Sequence, residues 1–128
     1  MKNISVDLVN NGEYIFVRIS DVIITSNRAQ QILEFIGEEC QRLNCTSVLL
    51  DERSVESRDI SSPDIMDISS FIEKKGINRI NIAFWSQPEL IDDDSKKLSL
   101  FTFTKKFVIK HFSEKNEAVS WLKKQERS

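Results

Sequence analysis

Glycine and proline are scarce, with three and two residues in a chain of 128. That excludes collagen-like and low-complexity chains. Two cysteines, Cys40 and Cys45, are too few for a disulfide scaffold or a four-ligand metal site. The apolar runs are a few residues long, as at Val22-Ile23-Ile24, whereas a membrane helix needs about 20. The opening residues 1–7 carry no apolar core and no cleavage site, so no secretory leader is expected. The glycines lie far apart, so no phosphate-cradling glycine-rich loop exists. What remains predicts one reduced, cytoplasmic domain over residues 1–128, large enough to bury a core without staples.

A net charge of −2 is too balanced for a generic nucleic-acid binder. The charges are nevertheless uneven. Residues 1–64 hold 6 basic and 11 acidic side chains, and residues 65–128 hold 12 and 9. All but one of the lysines follow position 70. Opposite-sign faces can steer a charged partner; late-chain lysines on solvated helix faces are the plainer account.

Ile4, Val6 and Leu8 alternate with polar positions, as in a half-buried strand. Asn10-Asn11-Gly12-Glu13 reads as a hairpin turn, because Asn and Gly tolerate positive φ. Tyr14 to Ile19 returns as the second strand, and Asp21 to Ile24 extends it or adds a short one. Asn27, with Gln30 three residues on, predicts a helix start. Ala29, Ile32, Leu33, Ile36, Cys40 and Leu43 form its buried stripe. Ser47 to Asp51 reads as a central strand buried on both faces. A polar loop, Glu52 to Ser61, precedes a second helix opening at Ser62-Pro63-Asp64 and ending at Lys74-Lys75-Gly76. Arg79 to Trp85 is a further strand. Gln87-Pro88-Glu89 starts a third helix, Phe107 to Phe112 is the last strand, and Ser113 caps a final helix. In that helix Ala118, Trp121, Leu122 and Gln125 share a face. The order predicts an α/β fold: a mixed, mostly parallel sheet with an opening hairpin and about four helices.

This order and three segments resemble the SpoIIAA-like family of the STAS domain superfamily, kin to the Sec14-like lipid-binding fold. The segments are Val48-Leu49-Leu50-Asp51, the loop to Asp59 with the helix opening at Ser62, and Phe112 followed by Glu117-Ala118-Val119-Ser120-Trp121-Leu122. The resemblance implies Asp51 and Asp59 as binding-loop residues. It also implies Ser61 and Ser62 as phosphoacceptor candidates. In phosphorylated STAS regulators the loop acid is followed directly by the hydroxyl and then by glycine. Here Ile60 follows Asp59, and Pro63 stands in the glycine's place. That pattern predicts Ser62 as a helix cap, worth about 1 kcal/mol, rather than as a switch.

The remaining constellations are weak. Asp51 and Lys110 resemble the acid and lysine of a response-regulator receiver, but the metal-binding acidic pair is replaced by Asn10-Asn11-Gly12. Asp92, Asp93 and Asp94 are consecutive and cannot converge on one ion from a helix. His111 has no nucleophile or acid beside it, and exposure next to Lys110 is expected. Packing accounts for both cysteines. Trp85, Leu98, Phe101 and Phe103 are candidates for an apolar pocket beneath a movable helix over residues 89–103.

The sequence therefore predicts a non-enzymatic regulatory or binding module that works through protein or membrane-proximal contacts. It is expected to need no cofactor or metal, to bind no nucleic acid, and to exist as a monomer or homodimer. A carrier or sensor of an apolar, lipid-like ligand is the second reading. A phospho-switched antagonist of an anti-sigma factor is the third.

Overall fold

The structure is a computed structural model that describes residues 4–60, 67, 70, 74, 79–90 and 107–126. Strands β1 (Ile4–Val9) and β2 (Tyr14–Ile19) form the expected hairpin. Its turn holds Asn10, Asn11 and Gly12 at φ 50°, 58° and 101°. The Gly12 and Glu13 amides both donate to the Val9 carbonyl, at 3.1 and 3.0 Å. A φ of 101° at Gly12 is strained for any side chain, which places glycine at the end of this run.

Helix α1 spans Ser26–Leu43. It opens earlier than the Asn27–Gln30 pairing predicts. Thr25 takes the cap, its hydroxyl accepting from the Arg28 amide at 3.3 Å. Asp21 then holds the Arg28 guanidinium at 2.8 and 3.1 Å, fixing the first turn from outside. The stripe lies where expected: Ala29, Ile32, Leu33, Ile36 and Cys40 are buried. Asn44, left-handed at φ 52°, closes the helix with its amide on the Cys40 and Gln41 carbonyls.

Strand β4 (Ser47–Asp51) is buried at every residue. It stands third in a five-stranded sheet of order β1-β2-β4-β6-β7, where β6 is Ile80–Trp85 and β7 is Phe107–Phe112. The hairpin pair is antiparallel, and the other pairs are parallel. The sheet is mixed and mostly parallel, as the strand order in the sequence predicts. The polar segment after β4 is not an open loop. Ser57–Asp59 forms strand β5, which pairs in parallel with β3 (Ile23–Thr25) as a separate two-stranded sheet.

The two faces of the main sheet carry separate apolar clusters. On one, α1 packs Ile32, Leu33 and Ile36 among Val17, Val48, Leu50 and Ile82. On the other, helix α2 (Lys115–Glu126) sets Ala118 and Leu122 against Leu49 and Ala83. Trp121 is partly buried at the border of this second cluster, its ring 5.9 Å from that of Phe112. The Ala118 amide bonds the Glu114 carbonyl at 3.2 Å, so Glu114 rather than Ser113 holds the cap position of α2.

Residues 88–90 are helical, with Leu90 buried in the α1-side cluster. Positions 67, 70 and 74 are also helical. The helix start at Ser62, and the segment 91–103 with Leu98, Phe101 and Phe103, lie outside the described residues. Among the described residues no helix is long and apolar enough to cross a membrane.

Candidate binding face

Parallel pairing and strand alternation put particular side chains in one row. The register runs Arg18 to Asp51, Asp51 to Trp85, and Trp85 to Phe112. These four residues cross β2, β4, β6 and β7 at their carboxyl ends, on the α2 face. The row two residues earlier is Phe16, Leu49, Ala83 and Lys110. Helix α2 covers Leu49 and Ala83, and it begins at Lys115, close above the later row. Carboxyl ends of parallel strands are where open α/β sheets place ligands.

Asp51 is 3% exposed and carries the hydrogen bonds of this end. Arg18 Nε donates to it at 3.0 Å. Arg53 adds its Nε and Nη2, both at 3.0 Å, and its main-chain amide at 3.2 Å. Burial pushes the Asp51 carboxyl upward, but the Arg53 and Arg18 bonds outweigh it and hold the pKa below the usual range. The two arginines are about half exposed at their side chains. Arg53 also stands over Trp85, its guanidinium carbon 3.6 Å from the ring centre. Arg18 stands 5.4 Å from the Phe16 ring. The Lys115 ammonium is 5.4 Å from Phe16 and 6.0 Å from Trp85. Three cations therefore rest on two aromatic rings, all within the range of cation–π attraction, and two of them share one carboxylate.

The next residue, Glu52, turns to the opposite face and is fully buried. Its carboxylate bonds Arg58 of β5 and Ser86 after β6. Its amide donates to the Trp85 carbonyl at 3.0 Å. The Arg58 side chain is 6% exposed and lies 5.5 Å from the Phe84 ring. Such an ion pair adds little net stability but fixes which segments meet, since either charge alone would be stranded. His111 sits on this side too, its ring 4.7 Å from that of Phe84. The expectation that it is exposed beside Lys110 is corrected here. Neighbours in a strand point to opposite faces, so Lys110 faces outward while His111 turns inward. Burial, helped by the Arg58 charge, lowers its pKa to about 3.

A cavity of about 30 Å³ lies beneath α1, lined by Ile24, Leu33, Phe84 and Ile109 with Glu52 and Arg58 at its polar side. It is water-sized. Trp85 lies on the other face of the sheet from Phe84 and belongs to the row over α2. Asp59, the other expected loop acid, is exposed at the end of β5. It lies in the small sheet, whereas Asp51 lies in the large one, and no described hydrogen bond or ion pair joins them. Ser61 and Ser62 lie outside the described residues. Among the described residues no three metal-ligating side chains converge.

Sequence reasoning passed over Arg18, Arg53 and Arg58. Arg18 had a signal, being a charge inside the apolar strand Tyr14–Ile19. The run Asp51-Glu52-Arg53 directly after a buried strand was a second one. Arg58 had none, because its place depends on the β3–β5 pairing.

A hairpin leading into a mostly parallel sheet, with a helix packed on each face, defines an α/β domain of SpoIIAA-like fold. The same fold is seen in a solved structure, an uncharacterized protein of the DUF3478 family from Shewanella loihica. It is 17% identical over 93% of this chain and 91% of that one, with a TM-score of 0.54. At that identity the likeness is one of fold. No family model matches the sequence, and no curated protein is significantly similar to it.

Proposed function

We propose that the chain is a non-enzymatic regulatory or binding module whose working face is the carboxyl end of β2, β4 and β6, and that it engages an anionic surface of a protein partner. One observation carries this reading: Arg18, Arg53 and Lys115 converge on Phe16 and Trp85, with Asp51 as the shared counter-ion of the two arginines. Arginine and tryptophan are the side chains most often dominant at protein interfaces. Here they are held rigid before any partner arrives, which lowers the entropy cost of binding. The SpoIIAA-like fold supports a module of this kind. The apolar-ligand reading draws no support from the cavity beneath α1, since a ligand pocket needs about 300 Å³ or more.

Site-specific photocrosslinking in the native cell tests the proposal. Benzoylphenylalanine in place of Lys115 is expected to trap one protein that the same group in place of Gln41, on exposed α1 surface, does not. Arg18→Ser should weaken the purified pair, and added salt should weaken it further, because exposed charges are screened beyond about 8–10 Å. Identical adducts from both positions would overturn the reading. So would flotation with anionic vesicles in the absence of any protein adduct.

A further inference from the structure

Strand β7 borders the five-stranded sheet, and among the described residues no strand lies beyond it. The Ser86 amide donates to the Phe112 carbonyl at 2.8 Å. Main-chain groups alternate sides along a strand, so those of Ile109 and His111 face outward from the border. Such groups are a template for a further strand. Beside them a groove of about 360 Å³ runs between β7 and α2. Phe112 and Trp121 form its floor, and Lys110 and Lys124 flank it. Asn116 and Ser120, four residues apart and four from Lys124, share the helix face that closes it, and Glu117 is its one acid.

We propose that this border takes up an extended acidic–apolar segment of another protein as an added strand. Residues opposed across a strand pair share a face. A carboxylate level with Lys110 would therefore place the side chain two residues away over Phe112 and Trp121. The strand edge binds any backbone; Lys110 and Lys124 select the acid, and the aromatic floor selects a large apolar side chain. Strand addition with pockets for alternate side chains is an established recognition mode. This is a second site, beyond the face of Arg18, Arg53 and Lys115, and either can fail alone.

Two synthetic peptides test it against the full chain: acetyl-Ser-Thr-Asp-Thr-Leu-Thr-Ser-amide and the version with Asp and Leu exchanged, which probes the opposite strand direction. One of them is expected to slow hydrogen exchange of the Ile109 and His111 amides at least ten-fold at saturation. It should also shift the Trp121 indole signal. Replacing the peptide's Asp by Lys, or Lys124→Glu in the exposed last turn of α2, should each weaken binding at least ten-fold. Four results would overturn the proposal: no binding of either peptide at millimolar concentration; binding that leaves both amides exchanging as before; equal affinity for the Lys-bearing peptide; or a dimer in which both amides are protected without peptide, making a second copy the occupant.

Discussion

Lowering the pH should expose the cost of keeping His111 neutral. Its pKa falls from an ordinary 6.5 to about 3 in the folded chain, through burial first and the Arg58 charge second. The unfolded chain therefore takes up a proton near pH 6.5, and the native one does not until about pH 3. Between those values protons favour the unfolded state, so stability falls as pH falls. Each pH unit below 6.5 costs about 1.4 kcal/mol, which makes the loss about 2 kcal/mol at pH 5 relative to pH 7.5. Urea unfolding at the two pH values, for the natural chain and for His111→Gln, isolates this contribution. The variant should lose about 2 kcal/mol less over the interval. With one histidine in the chain, the imidazole proton signal can be followed without assignment. A native midpoint near 6.5, or an equal loss of stability in the variant, would refute the reasoning.

Asp51→Ala should destabilise by about 1–3 kcal/mol, because Arg18 and Arg53 lose their counter-ion while staying half in water; chemical denaturation measures it. Asp51 works in the same direction as His111 but at lower pH, since a depressed carboxyl pKa gives stability that is lost as pH falls through the folded value. Thr25→Ala should cost about 1 kcal/mol through the lost cap of α1, a change visible in the denaturation midpoint. Leu49→Ala, in a strand buried on both faces, should cost about 2–5 kcal/mol, measured by chemical denaturation. Cys40 is buried with its thiol pushed up to about 12, so iodoacetamide should leave it unmodified at pH 8 until the chain unfolds. Rapid labelling of the native protein would contradict its placement.

The sheet was legible because its signals are local. Alternation marked β1, an apolar run closing on an acid marked β4, and the Asn-Asn-Gly turn set the hairpin that pins β1 on β2. The stripe of α1 was equally plain, although its start was not: Thr25 wins the cap through Asp21 and Arg28, a contact no cap motif encodes. The candidate face was only half legible. Asp51 could be singled out at a strand end, yet its meaning depends on Arg18 two strands earlier in the sequence and on Trp85 two strands later. Those partners become neighbours only through sheet register. His111 was misread for a related reason, since its parity with Phe84 across β6 and β7 decides which way it points.

The small β3–β5 sheet has a consequence for how the chain assembles. Val22 and Ile23 remain 50% and 57% exposed, whereas Ile24 of β3 and Val55 and Ile60 on either side of β5 are buried in the α1-side cluster. The small sheet's strands lie on either side of α1 and β4 in sequence, and closing so long a loop unaided is entropically costly. Once β2 and β4 have paired, however, Ile19 and Glu52 are already close. The Val22 carbonyl then takes the Glu56 amide at 2.8 Å, and Ser54 Oγ bridges the Ile19 and Asp21 carbonyls at 3.1 and 2.8 Å. The clasp thus forms after β2 and β4 have paired, and its closure seats Ile24, Val55 and Ile60 in the core. Because Arg58 travels with β5, each opening withdraws the cation from Glu52 and lets water reach the floor of the sheet. The clasp therefore ties the small sheet, the start of α1 and the buried Glu52–Arg58 pair into one unit with the main sheet.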